Sequence, residues 1–378
     1  MSSRKKRIVI VGAGVIGAAI AHSLSLRNVP VTIVDKGVAG GGATSHSFAW
    51  INATAKRPST YHELNRRSLE MWNRFAASLD SDVGLRWGGQ LEWASTPQKA
   101  KELTSRRLQL QAWGYPCWQM EAADIKAMEP DLNPGEVTGG IYCPLDGMVE
   151  PSKVAEACVA KATQNGALLK LNTEVTGLHL ASRSNIVTSV ETKTESIPAD
   201  IIVLAGGVDN TALAAMAGVR IPQQTSPGVV IRTEVISGDL LTRAAIVYAP
   251  SLEPGRPEIH FRQCLDGSVI IGEGSQESLA RDDTQRHADE LLSRAIQFAP
   301  RLQGTSAIPV PVGQRPMPMD ELPVLGFSSK APNVYIALTH SGVTLAPLIA
   351  ELAAIEIVEG AKVELLEQYR ADRFSSSH

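Results

Sequence analysis

The sequence predicts an α/β protein of two domains, one built on a parallel sheet with helices and one formed mostly by antiparallel β-structure. Three separated segments predict the first domain, because each combines a short, fully apolar run with glycines and a helical stretch. The regions between them contain further strand-like runs and predict the second domain. The length of 378 residues also exceeds what one hydrophobic core usually organises.

The first segment predicts a βαβ unit at the amino end of the chain. Residues 8–11 (IVIV) and 31–35 (VTIVD) are apolar runs of strand length, and residues 15–27 between them have the length and pattern of a helix. Two parallel strands joined by a helix are the starting unit of a Rossmann-type fold.

Three glycines follow the first strand in the spacing G-x-G-x-x-G. We interpret Gly12 as the tight turn, Gly14 as the point where a pyrophosphate approaches the backbone, and Gly17 as the contact between helix and sheet. The helix amino end adds a partial positive charge. Asp35, 18 residues after Gly17, can accept hydrogen bonds from ribose hydroxyls. The motif predicts a dinucleotide and does not by itself distinguish FAD from NAD.

The second and third segments repeat this design without repeating the sequence. In the middle of the chain, a helical stretch at 152–165 leads through short runs to a buried strand and glycines at 199–207 (ADIIVLAGG). Near the carboxyl end, a strand at 333–338 (NVYIAL) precedes a helix over 343–359. Both are expected to join the parallel sheet.

The remaining regions predict the second domain. Runs such as GVVIRTEV, PEIHFRQC and SVIIGEG, all within 219–315, are typical of antiparallel strands. We therefore predict a discontinuous cofactor domain and a substrate-binding domain, formed respectively by residues 1–85, 146–218 and 316–378, and by residues 86–145 and 219–315.

Composition argues against several other classes of protein. Lys plus Arg total 36 against 39 Asp plus Glu, so no broad basic surface is predicted and nucleic acid is an unexpected partner. The four cysteines form no CxxC pair, which argues against a metal site and a disulfide framework and fits a cytoplasmic protein. The apolar stretch 334–358 is interrupted by His340, Pro347 and two glutamates, so we expect no membrane-spanning helix.

With these motifs the chain resembles the D-amino acid oxidase superfamily of flavoproteins, over nearly its whole length. Besides GAGVIG and Asp35, the resemblance rests on four further stretches: GGGATSHS (40–47), DGMVEPSKVAEACVAKATQNGA (146–167), VLAGG (203–207), and GQRPMPMDELPVLG with HSGVTLAP (313–326 and 340–347). It implies a glutathione-reductase-like FAD domain. It also implies hydride transfer to flavin from the C–N bond of a small amine or amino acid, such as a D-amino acid, glycine, sarcosine or another secondary amine.

The motif and the resemblance together give a set of cofactor-binding candidates. They are Gly12, Gly14, Val15, Ile16, Gly17, Asp35, Lys36, Thr44, Ser45, His46, Val175, Gly206, Gly207, Arg315, Ser341, Gly342, Val343 and Thr344. In such folds the turn around Gly342 brings backbone N–H groups and a helix amino end to the flavin ring. The alternative is an ordinary helix start capped by Ser341.

His46 is the candidate for a covalent link to the flavin. Residues 42–46 match the G-x-T-x-H loop with which dimethylglycine dehydrogenase and its relatives attach FAD to histidine. A histidine with a non-covalent role is the alternative, and non-covalent FAD is the expected form. No cysteine occurs in 313–320, so a cysteinyl flavin of the sarcosine oxidase kind is not expected.

Arg315 and His260 are the candidates for the substrate site. The resembling segment of glycine oxidase places an arginine that holds the substrate carboxylate, although a surface arginine paired with Asp320 or Glu321 is the alternative. His260 and Arg262 alternate along a predicted strand and therefore share one face, which borders either the flavin or solvent. Hydride transfer from the C–N bond to flavin requires no side-chain base when the amine binds in its neutral form.

Three other functions remain open at this point. An NAD-dependent dehydrogenase would share Gly12 to Asp35 but would not need the returning strand and helix near the carboxyl end. A flavin-dependent 2-hydroxy acid dehydrogenase would use the same motifs and Arg315. An RNA-modifying flavoprotein is disfavoured by the balanced charge. Either oxygen or another electron acceptor would serve as the partner of the reduced flavin.

Overall fold

The computed structural model describes residues 6–182, 184–253, 255–274 and 281–375. Within these residues the α-helices are α1 (Val15–Ser25), α2 (Ser59–Ala77), α3 (Pro97–Ala112), α4 (Ala122–Met128), α5 (Pro151–Gln164), α6 (Asn210–Ala215), α7 (Gln285–Phe298) and α8 (Gly342–Glu359). Short 3-10 helices lie at Gly42–Thr44, Gly207–Asp209, Pro300–Leu302, Glu364–Tyr369 and Ala371–Phe374.

A six-stranded sheet contains the strands predicted for the first domain. In spatial order its strands are Val324–Phe327, Val334–Leu338, Ile201–Leu204, Ile8–Val11, Val31–Val34 and Leu168–Lys170. Every neighbouring pair is parallel except the first, which is an antiparallel hairpin. The predicted βαβ unit is therefore present, with α1 ending at Ser25 rather than at residue 27.

Side chains of this sheet alternate between two cores. Ile8 and Ile10 pack with α1, α5 and α8 on one face, whereas Val9 and Val11 pack with a small sheet on the other. That small sheet consists of Val175–Leu180, Val187–Thr192 and Ser196–Pro198. Because both faces are covered, the central strands Ile8–Val11 and Ile201–Leu204 are apolar throughout, as their sequences predicted.

An eight-stranded sheet forms the second layer of the molecule. In spatial order its strands are Ala307–Pro309, Val230–Thr233, Val269–Glu273, Ile259–Gln263, Ile246–Ala249, Gln90–Ala94, Gly139–Cys143 and Trp118–Met120. The one parallel pair joins Ile246–Ala249 to Gln90–Ala94, and the other neighbours are antiparallel. The predicted fold class is thus confirmed, while the domain boundaries stay a prediction.

Alternation in this second sheet also positions the site. Ile259 and Phe261 pack with α7, whereas His260 between them lies on the opposite face. Smaller strand groups connect the two large sheets: Trp50–Ile51 with Gly147–Met148 and Arg86–Trp87, Pro227–Gly228 with Gly313–Gln314, and Gln223–Gln224 with Met317–Pro318. Among the described helices, none is long and apolar enough to cross a membrane.

Candidate active site

The turn after the first strand requires glycine at two positions. Gly12 has φ +112°, and a Cβ there would lie 2.4 Å from the carbonyl oxygen of Ala205. A Cβ at Gly17 would lie 2.0 Å from the Gly12 carbonyl oxygen. Both positions are therefore closed to any side chain, which agrees with the roles of tight turn and helix–sheet contact.

Gly14 differs from these two because no backbone atom closes its position. It is the residue before α1, and the one atom within 4 Å of an added Cβ is Thr44 Oγ1, at 3.2 Å. Helix α1 begins without a side-chain cap and without an acidic residue in its first turn. The Val15 N–H donates to Thr44 Oγ1 at 3.1 Å. The positively polarised helix end, with the Thr44 hydroxyl beside it, fits a pyrophosphate.

The Asp35 carboxylate holds the glycine turn in place. Its two oxygens accept hydrogen bonds from the N–H groups of Ala13 at 2.6 Å and Gly37 at 2.7 Å. An ionised carboxylate has about four acceptor positions, so capacity for ribose hydroxyls is left. Lys36 is mostly exposed and pairs with Asp209 at 2.6 Å, a contact that raises the pKa of Lys36.

Val175, Gly206 and Gly207 lie at the same edge of the parallel sheet. The Asp35 carbonyl accepts a hydrogen bond from Thr173 N, two residues before Val175. Gly206 N–H donates to Asn210 Oδ1 at 2.7 Å, and Gly207 has φ +60° with no atom within 4 Å of an added Cβ. The parallel pairing of Val11 with Leu204 thus brings Gly206 and Gly207 to the edge that carries Gly12.

A cavity of about 1150 Å³ lies between the large sheets, and the other predicted site residues lie in or near its wall. Of the predicted residues, its wall includes His46, His260, Arg315, Ser341, Val343 and Thr344. The glycine turn with Asp35 lies outside this wall. The two groups meet where α1 and α8 begin, because a Cβ at Gly342 would lie 3.5 Å from Ile16 and 3.6 Å from Val15.

His46 stands at the cavity wall beside the carboxyl-terminal motif. Its Nδ1 lies 2.8 Å from the Gly42 carbonyl oxygen, so this nitrogen carries the proton in the tautomer that makes the bond. An added Cβ at Gly313 would come within 2.6 Å of His46 Cβ. Ser45 is exposed and donates its hydroxyl to Gly42, so it does not line the cavity.

The start of α8 is fixed by residues from elsewhere in the chain. Ser341 does not cap the helix with its side chain and instead accepts a hydrogen bond from Tyr61 Oη at 2.8 Å. Thr344 Oγ1 donates to the Trp50 carbonyl and accepts from Asn52 N, both at 3.2 Å. The alternative of a helix start capped by Ser341 is therefore wrong, and the N–H groups of the first turn stay available.

His260 lies in an aromatic wall and not at a solvent-facing edge. Its ring stacks on Tyr248 at 5.1 Å between centroids and meets Phe48 edge-on at 4.5 Å. Tyr248 is its cross-strand partner, which explains the stacking. Removal from water, followed by the charge of Arg315, lowers the pKa of His260 to about 3. The imidazole is therefore neutral at neutral pH.

Arg262, two residues further along this strand, is a structural residue. It is fully buried, donates from Nη1 to Glu150 at 3.0 Å and from Nε to the Phe48 carbonyl, and lies over the Phe48 ring. The shared face predicted for His260 and Arg262 is confirmed, since both contact Phe48. Arg262 does not line the cavity.

Arg315 is half-buried in the cavity wall. A Cβ at Gly228 would lie 2.8–2.9 Å from three guanidinium atoms, so the group packs directly against that glycine. Asp320, one of the two acidic residues considered as partners of Arg315, accepts instead from Arg373, at 2.7 and 3.0 Å. Arg315 is thus placed to act on molecules inside the cavity.

Two further polar residues of the cavity were missed by the sequence interpretation. His340 and the buried Lys56 both line the wall. Burial, the charge of Lys56 and that of Arg315 lower the pKa of His340 to about 3. The position of His340 directly before Ser341 in the closing motif was the available signal, whereas nothing in the sequence around Lys56 singles it out.

A buried carboxyl group supports the aromatic wall from behind. Asp146 is inaccessible to solvent and accepts hydrogen bonds from Tyr115 Oη at 2.5 Å and Trp50 Nε1 at 2.9 Å. Trp50 lines the cavity, tilted against Tyr248 at 6.5 Å. Burial raises the pKa of Asp146 to about 7. Within the described ranges, no group of three His, Cys, Asp or Glu side chains could hold a metal ion.

Comparison with known proteins gives one family for almost the whole chain. Residues 7–355 match the model of the DAO family, described as FAD dependent oxidoreductase. A subunit of the opine oxidase of Agrobacterium tumefaciens (strain Ach5) is 28% identical, over 97% of each chain. Human mitochondrial dimethylglycine dehydrogenase is 25% identical, over 87% of this chain and 40% of that protein.

The fold agrees with a solved structure of the same family. The crystal structure of glycine oxidase from Geobacillus kaustophilus superposes with a TM-score of 0.85 at 25% identity, over 98% of this chain and 99% of the other. The glycine oxidase sequence of Geobacillus kaustophilus (strain HTA426) is 27% identical, over 93% of this chain and 92% of that protein.

Proposed function

Because the chain belongs to the DAO family of FAD-dependent oxidoreductases, we propose that it oxidises the C–N bond of a small amino acid whose carboxylate binds Arg315. The observation that carries the proposal is the position of this guanidinium, in the cavity wall beside the neutral rings of His260 and His340. The names of the relatives support it, since an opine oxidase, a glycine oxidase and a dimethylglycine dehydrogenase are among them.

The residues present fit FAD in two places. The glycine turn at Gly14 and the positively polarised start of α1 fit its pyrophosphate, and Asp35 is next to them for the ribose. The start of α8 and the 3-10 turn Gly42–Thr44 lie where the cavity begins and would hold the ring end. When bound, FAD supplies the acceptor for the two electrons of the C–N bond.

The chain's own residues bind and orient the substrate. Arg315 offers a planar fork of donors that fits both oxygens of a carboxylate and thereby aims the neighbouring carbon. His260 and His340 are neutral over the physiological range, so neither attracts the carboxylate nor serves as a strong base. The substrate amine must therefore enter the reaction in its neutral form.

The first test changes the shape of the guanidinium and keeps its charge. We expect Arg315→Lys to lower kcat/KM for the best amino acid substrate by a factor of roughly 30 to 1,000, because the two-pronged contact is lost. This factor corresponds to a loss of roughly 2–4 kcal/mol of transition-state stabilisation. Gly228→Ala should act in the same direction with Arg315 intact, since the new methyl occupies the guanidinium's position. Arg373→Lys, outside the cavity, is the matched control.

The substrate panel decides between amino acids and the other substrate classes. Esters or amides of the best amino acid should be poor for the wild type and nearly indifferent to Arg315→Lys. If the variant keeps wild-type efficiency, or if only uncharged amines or 2-hydroxy acids are turned over, the assignment is wrong. Oxygen consumption during turnover identifies whether oxygen or another molecule is the electron acceptor.

The second test concerns the link between FAD and the chain. We propose that FAD is bound non-covalently. The alternative is a covalent link to His46, which lies at the cavity wall. Acid precipitation should release all flavin to the supernatant and leave a chain with the mass of the apoprotein. A pellet that stays yellow, with FAD added to a peptide containing His46, would establish the covalent link instead.

A further inference from the structure

A pair of reduced cysteines lies directly behind the cavity. Cys117 and Cys143 are fully buried free thiols whose sulfur atoms are 3.2 Å apart, with Cys143 donating its S–H to Cys117. The bond of a disulfide is about 2.05 Å long. The two sulfurs are thus within about 1.2 Å of bonding distance.

The strand pairing holds these residues opposite each other. Trp118 pairs with Tyr142 and Gln119 with Ile141, so the next position of the same antiparallel register places Cys117 opposite Cys143. Directly opposed residues have Cα atoms about 4.5–5.5 Å apart, within the roughly 4.4–6.8 Å that disulfides span. The backbone therefore meets the requirement of a disulfide without a change of register.

One layer of side chains separates the pair from the cavity. Cys117 and Cys143 share an apolar cluster with Ala94 and Leu103, which line the cavity wall. Arg106 also lines the wall, and its charge acts on both sulfurs. The hydrogen bond from the Cys143 S–H, with the charge of Arg106, lowers the pKa of Cys117. The same hydrogen bond, followed by burial, raises the pKa of Cys143.

We propose that Cys117 and Cys143 form a redox couple that hydrogen peroxide converts reversibly to a disulfide. The Cys117 thiolate attacks one peroxide oxygen, the O–O bond breaks, and the released hydroxide takes a proton to become water. Cys143 then attacks the sulfenic acid sulfur, the S–S bond forms, and a second water leaves. Two thiols lose two electrons and two protons, and one peroxide is reduced to two waters.

The other two cysteines provide the matched controls. Cys158 and Cys264 are also buried and reduced, yet among the described residues neither makes a sulfur–sulfur contact. Burial alone raises the pKa of the Cys158 thiol. Cys158 lies in the main apolar core, whereas the Cys264 sulfur accepts from Arg262 Nη1 at 3.6 Å. Of the four cysteines, the opposed pair alone combines proximity with an activated sulfur.

The experiment maps the thiols of the purified holoprotein. The reduced protein is exposed to hydrogen peroxide and then denatured in the presence of iodoacetamide, which alkylates the remaining thiols. It is digested without reductant for peptide mass analysis. We expect a linked pair of peptides containing Cys117 and Cys143, lighter by two hydrogen atoms than the separate peptides, and its disappearance after dithiothreitol. Cys158→Ser should keep the linked pair, and Cys143→Ser should remove it.

The wild-type protein alone can overturn the proposal, whichever variants fold. Full alkylation of both cysteines after peroxide exposure would contradict it. So would stepwise oxygen addition to Cys117 without a linked peptide, or links to Cys158 and Cys264 in comparable yield. Because peroxide is added from outside, the result does not depend on the proposed oxidation of amino acids.

Discussion

Asp146 is the residue whose ionisation connects the interior of the molecule with the cavity wall. Its carboxyl group accepts from Tyr115 and Trp50 and has no exposure to water. Those bonds favour the charged form, but burial outweighs them and raises the pKa to about 7. At a pH between 3.8 and about 7, Asp146 therefore keeps a proton in the folded state that it has released in the unfolded chain.

The stability of the protein should consequently fall as pH rises through this window. Between the ordinary pKa of 3.8 and about 7 the folded state binds more protons at Asp146 than the unfolded state does. Each pKa unit corresponds to about 1.4 kcal/mol. We expect the free energy of unfolding, measured with urea, to fall less between pH 5 and pH 8 for Asp146→Asn than for the wild type. Equal slopes of free energy against pH for both proteins would contradict the assignment.

At this scale the sequence predicted residues whose roles are local. Gly12 and Gly17 are closed to side chains by atoms of neighbouring backbone, and the spacing of the motif encodes both contacts. Lys56 and Asp146 carry no such local pattern. Their importance comes from burial beside residues distant in sequence, which the sequence does not display.

At the scale of elements, helix α8 contains a proline, and a side chain of α2 supplies hydrogen bonds to the backbone next to it. Pro347 lies in the first turns of α8 and cannot donate a backbone hydrogen bond. In a regular helix Leu348 N would donate to the Thr344 carbonyl. Here the Ser68 hydroxyl lies between these two groups, accepting from Leu348 N at 3.3 Å and donating to the Thr344 carbonyl at 2.7 Å. Trp72 Nε1 also donates to that carbonyl, at 3.2 Å.

Removing this hydroxyl should destabilise the start of α8. Ser68→Ala leaves a buried N–H without its acceptor, and we expect the free energy of unfolding to fall by roughly 1–3 kcal/mol. Ser59→Ala, at an exposed position of the same helix, is the control and should change stability little. Denaturant unfolding of the holoproteins measures both. Equal stability of the two variants would show that Ser68 does not support the helix.

Element prediction succeeded where the pattern is local. Buried strands next to glycines at 8–11, 31–35 and 333–338 were recognised because each run is apolar on both faces. The strand Ile246–Ala249 and the two-residue strands between the sheets were not predicted, because pairing with distant partners defines them. Helix α2, which supports α8, also lay outside the predicted elements.

At the scale of the whole molecule, the cavity is assembled from distant parts of the chain. Lys56, His260, Arg315 and His340 meet at one wall because the eight-stranded sheet faces the starts of the helices on the six-stranded sheet. The sequence predicted the two kinds of sheet and several of these residues. It could not predict their meeting, since the relative placement of two sheets depends on packing along their full length.

One measurement addresses the combination of bound FAD and amino acid oxidation most directly. The purified protein is placed under anaerobic conditions, its visible spectrum is recorded, and the best amino acid substrate is added. We predict a yellow protein whose flavin absorbance disappears on addition of the amino acid and is unaffected by its 2-hydroxy analogue. A colourless protein that cannot be reconstituted with FAD, or a flavin that the hydroxy acid reduces and no amine does, would contradict this.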